Sequence, residues 1–91
     1  MQNTADTAIC ATVSAIFPWL IRSDPILAKC ERHVRELGHD IDAEKHRRLV
    51  DIVDAVATRA ARRLGLDVDA VVSVARARLL RRFRVTEEAT G

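Results

Sequence analysis

Cys30, His33, His39 and His46 form the one metal-like set in this chain, with types that hold metals or act as nucleophiles. Cys30 and His33 lie three apart, one helical turn, so both can face a single ion. The whole set reads C-x2-H-x5-H-x6-H, a spacing that matches no common structural zinc site. Cys30 falls on an apolar helical stripe, which supplies neither the exposure nor the lowered pKa that a nucleophilic thiol needs. No metal and no cofactor is expected.

Other catalytic signatures are missing. Gly38, Gly65 and Gly91 are far apart, each at a helix end or terminus, and build no phosphate loop. There is no G-x-S-x-G elbow and no H-E-x-x-H pair. Ser14 and Ser73 read as helix-surface residues, and Ser23 precedes a helix cap. The acid pairs Asp40 with Asp42 and Asp67 with Asp69 open helices, where negative charge meets unpaired N–H groups. The expectation is a protein that is not an enzyme.

Arginine carries most of the remaining chemistry. The chain has 15 basic and 13 acidic residues, net +2, and 13 of the basic ones are Arg. The guanidinium is a planar fork suited to carboxylates and phosphates. Arg76, Arg78, Arg81, Arg82 and Arg84 crowd one helix end, where cations also complement the helix dipole. On a helical wheel they spread over both flanks and the outer face.

Positioning these groups falls to helices, since no segment alternates as a strand would. A first helix is expected from about Asp6 to Phe17, on the stripe Ile9, Val13, Ile16 and Leu20, capped by Thr4 or Asp6. Pro18 lacks an N–H and disfavours helix at the preceding residue, so the helix should end or kink near Phe17. Phe17, Trp19, Leu20 and Ile21 would then form an apolar corner. A second helix opens with Asp24 as cap and Pro25 in its first position, and closes at Gly38. Its buried stripe is read as Ile26, Cys30, Val34 and Leu37, with Leu27 beside it. A third runs from near Asp40 or Asp42 to Leu64, ends at Gly65, and presents Leu49, Val53, Val56, Ala60 and Leu64. A fourth starts at Asp67 or Asp69 and runs to about Arg84, with Val68, Val71, Val72, Ala75, Leu79 and Phe83 within about 120° of arc. Val74 and Leu80 fall outside that arc. From about residue 86 the chain has no apolar pattern and is expected to fray.

Ala57 to Arg76 resembles the helix-turn-helix unit of bacterial DNA-binding proteins. Ala61 is the small residue four before Gly65, Leu64 and Leu66 flank the glycine, and Val71 and Val74 take the apolar positions of the second helix. The resemblance covers about 20 residues and implies a groove-facing set of Asp67, Val68, Asp69, Val72, Ser73 and Arg76. Two of those are acids, which would approach phosphates. Nucleic-acid contacts in this reading come from Ser73, Arg76, Arg78 and Arg81.

Composition sets the class. Ninety-one residues make one domain, with 48% hydrophobic and 31% charged residues, a globular balance. With Tyr 0, Phe 2 and Trp 1, the chain is too poor in aromatics for a β-sandwich. The apolar run from Ile9 to Ile21 is shorter than the ~20 residues a membrane span needs. No basic residue precedes Arg22, which argues against a secretory leader. Cys10 and Cys30 allow one internal disulfide at most, unlike a secreted scaffold. The expected molecule is an all-α, cytoplasmic four-helix bundle or open helical array. It should dock on a larger partner, most readily a protein, as an inhibitor or adaptor, and its size and missing motifs fit one of anti-CRISPR type. Trp19, Val74, Arg78, Leu80, Arg81 and Arg82 are the candidate contacts, because surplus apolar residues and Arg favour interfaces. Val74 and Leu80 also allow a homodimer.

Overall fold

The computed structural model describes residues 4–38 and 40–85. His39 and the tail from Thr86 onward lie outside the described residues. Four helices follow one another: α1 (Thr4–Ser23), α2 (Pro25–Leu37), α3 (Ala43–Leu64) and α4 (Val68–Arg82). The described residues contain no strand, only an isolated parallel bridge between Ile41 and Val85. The all-α expectation holds. None of the described helices is long and apolar enough to cross a membrane.

The boundaries of α2, α3 and α4 follow from their caps. The Asp24 carboxylate accepts from the Ile26 and Leu27 amides at 2.9 and 3.1 Å, beside Pro25, whose missing N–H costs nothing at that position. Asp42 accepts from the Lys45 amide at 2.8 Å and Asp67 from the Asp69 amide at 3.1 Å. Gly38 and Gly65 have φ of 67° and 70°, the left-handed conformation that side chains with a Cβ resist. At Gly65 the chain turns back: the Leu66 amide donates to the Ala61 carbonyl at 2.8 Å, closing the helix and launching α4.

The first helix differs from expectation. It runs unbroken from Thr4 to Ser23 with Pro18 inside it, so Trp19 is a mid-helix residue and Asp6 lies in the first turn, not at the cap. A proline inside a helix costs about 3 kcal/mol. Against that, an unbroken helix keeps Ile9, Val13, Phe17 and Leu20 on one buried face, and burying Phe17 and Leu20 returns roughly 1.5–3 kcal/mol each. Pro18 and Ser14 are both exposed, so water reaches the Ser14 carbonyl that loses its bond. The apolar corner therefore does not exist: Phe17 and Leu20 are core and Ile21 is partly buried.

Packing explains the remaining rotations. α3 and α4 form the most extensive helix pair, α1 packs on all three other helices, and α2 packs mainly on α1. The α3 stripe that reaches the core is Leu49, Val53, Ala57 and Ala61. Val56 and Ala60 are only partly covered, and Leu64 is 58% exposed. α4 is wedged between α1 and α3, so a wider arc is covered than one stripe. Val71, Ala75, Leu79 and Phe83 are buried as expected, and Val74 packs against the core instead of standing clear of it. In α2 the buried face is Leu27, Cys30 and Glu31, while Ile26 and Leu37 are exposed. The expected stripe is turned by about one residue because a charged residue, Glu31, belongs to it.

Candidate interaction surface

Glu31 is the one buried charged residue among those described, and its partner comes from the far end of the chain. The Arg82 guanidinium engages both carboxylate oxygens: Nε donates to Oε2 at 2.9 Å and Nη2 to Oε1. This fork ties α2 to the end of α4. Two more α4 arginines reach other helices. Arg76 grips Asp54 of α3 with Nε and Nη2 at 2.9 and 2.5 Å, and that hydrogen bond, with the charge behind it, holds its guanidinium above the ordinary range. Arg78 donates to the Ser14 hydroxyl of α1 at 3.0 Å and lies 5.8 Å over the Phe17 ring, within cation–π range. Spread around the wheel, these arginines brace α4 against α3, α1 and α2 in turn.

That arrangement redistributes the sequence-derived sites. Arg76, Arg78 and Arg82 are engaged within the chain, and Val74 is in the packing. Ser73 is exposed. Arg81 makes no ion pair among the described residues, and Leu80 is 53% exposed. Trp19, at 52% exposure, is the sequence-derived contact with the most defined surroundings.

Trp19 stands on the wall of a groove of about 690 Å³ between α1 and α3. Two apolar rows line it. On α1 they are Ala11, Ala15 and Trp19, and on α3 Val56, Ala60 and Leu64. Each row steps by four residues, so it runs about 12 Å along its helix. The two rows hold three alanines and two exposed large side chains, Trp19 and Leu64. The Thr12 hydroxyl, also in the lining, is turned back onto its own helix, donating to the Ala8 carbonyl at 2.8 Å. The charged lining is Arg59 and Arg63, one turn apart, neither with an ion pair among the described residues.

Sequence reasoning missed this groove although its signal was present. The expected face Leu49, Val53, Val56, Ala60 and Leu64 mixes two rows: Leu49 and Val53 continue through Ala57 and Ala61 in the core, while Val56, Ala60 and Leu64 line the groove. One helix with two apolar rows has one to spare.

Among the described residues no three His, Cys, Asp or Glu side chains gather where an ion could sit. Cys30 and His33 line a recess of about 640 Å³ between α2 and the start of α3, with charges of both signs around them. Cys30 is buried and Cys10 exposed, both as free thiols. Burial pushes the Cys30 thiol up, with Lys45 pulling weakly the other way. The His46 Nε2 atom is buried with no hydrogen-bond partner.

Compared with known proteins, the sequence matches no family model, no curated protein and no solved structure.

Proposed function

We propose that this chain is a small helical binding module that docks on a protein partner through the α1–α3 groove. One observation carries the reading. Of the five large hydrophobic residues exposed among those described, Trp19 and Leu64 line one groove together. Single exposed apolar residues are ordinary, but two lining one largely apolar groove make a contiguous patch of the kind that marks interaction sites. Trp is among the side chains that most often anchor protein interfaces. A role as inhibitor or adaptor fits a module whose work is occupancy.

The internal engagement of Arg76, Arg78 and Arg82 weighs against the DNA-binding reading. Three cations of the fourth helix already have partners in Asp54, Ser14 and Glu31, and phosphates would have to compete with them.

The test is paired capture from nuclease-treated lysate of the source cell with wild type and Ala15→Arg. Arg is a good helix former and Ala15 is exposed, so the substitution fills the groove and leaves the fold. A protein retained by wild type and lost from Ala15→Arg supports the reading. A partner held equally by both, or one captured only when nuclease is left out, overturns it.

A further inference from the structure

Resting on that reading, we infer that the groove's occupant is an amphipathic helix carrying two carboxylates one turn apart, facing Arg59 and Arg63. The shape comes first. Two apolar rows, one on each helix and each about 12 Å long, three of their six residues alanine, admit the apolar stripe of a third helix, the helix-in-groove mode of recognition. An extended peptide would add little here, because the groove is walled by helices whose backbone groups are already bonded internally.

The charge comes second. Arg59 and Arg63 are the charged residues of the lining and rise about 6 Å apart along α3. Acids four apart on a docked helix have the same rise, so both pairs can form together. Guanidinium forks suit carboxylates, and a lining with two like cations rejects a basic helix by repulsion.

The chain's own acidic tail does not fill the role. Val85 is fixed beside Ile41 at the start of α3. Glu87 and Glu88 follow it by two and three residues and reach about 10 Å at most. Arg59 lies some 24 Å further along α3. Neither of these tail carboxylates spans the distance to Arg59.

Selection from a displayed library tests this. The library holds amphipathic helices about 20 residues long, with a fixed Leu stripe and flanking positions randomised among Glu, Gln and Lys. Selection on wild type should enrich Glu pairs four apart, and selection on the Arg59→Glu/Arg63→Glu variant should enrich Lys instead. The chosen peptide should shift Trp19 emission to the blue, and Trp19 is the chain's sole Trp. Its Gln counterpart should bind about tenfold more weakly at low salt, from two exposed ion pairs. Enrichment without charge preference, with the Trp19 shift intact, overturns the acidic assignment and leaves the groove reading standing. No enrichment, or displacement of the peptide by duplex DNA, overturns both.

Discussion

Replacing Arg82 with Gln should destabilise the protein more than any other arginine substitution on α4. The Glu31 side chain is 9% exposed while that of Arg82 is 51% exposed, so the pair is buried at one end and wet at the other. Removing one partner of a fully buried pair costs roughly 3–5 kcal/mol, because the other charge is stranded. An exposed pair contributes about 0–1 kcal/mol. Water can follow the vacated Arg82 stem toward Glu31, so the expected loss is about 2 kcal/mol, between those limits. In a domain this small, that lowers the thermal midpoint by roughly 10 °C. Glu31→Gln keeps an acceptor for the guanidinium and should cost about half as much. The double variant should lose about 1 kcal/mol less than the sum of the single ones, the signature of a direct interaction. Urea unfolding followed by circular dichroism at low and high salt measures all four proteins. Loss within 0.5 kcal/mol of wild type for Arg82→Gln, or strict additivity, would refute the reasoning, since it would mean that Glu31 is solvated without Arg82.

Three further outcomes are expected. Pro18→Ala restores the amide that bonds the Ser14 carbonyl and should raise stability by up to about 3 kcal/mol; a lower thermal midpoint would mean that the proline shapes α1 in a way the packing requires. His46→Leu removes a buried atom without a partner and should stabilise by about 1 kcal/mol or more, read by the same urea titration; destabilisation would point to a partner for Nε2. With a thiol reagent near pH 8, exposed Cys10 should react at once and Cys30 only as the protein unfolds, because burial both hides that thiol and raises its pKa; two fast equivalents in native buffer would contradict the burial.

Much of the fold was legible because its stops and starts are chemical. Asp24 with Pro25, Gly38, Asp42, Gly65 and Asp67 are local signals, and each stands where a helix begins or ends. The misreadings have one cause. Pro18 and Glu31 obey contacts far away in sequence: Pro18 is carried through by a face that α1 must bury, and Glu31 is neutralised by Arg82, 51 residues on. A window of neighbouring residues contains neither fact. The same applies to the arginines of α4. Their spread around the wheel suggested solvent or a partner, and three of them turn out to be internal braces. Trp19 was a candidate as part of an apolar corner that the unbroken α1 does away with, and its exposure is what keeps it one. Leu64, in the same lining, was not, because the row Val56, Ala60 and Leu64 looks like core until the row beside it is known to be buried more deeply.

The groove is tested most directly by photo-crosslinking in the source cell. A crosslinking amino acid is placed at Ala15, in the groove lining, or at Ser73, on the exposed face that the helix-turn-helix reading turns toward DNA. Both positions are exposed, so neither should disturb the fold. The account predicts a discrete protein adduct from Ala15 and none of that size from Ser73. A nucleic-acid adduct from Ser73, with Ala15 silent, would contradict it.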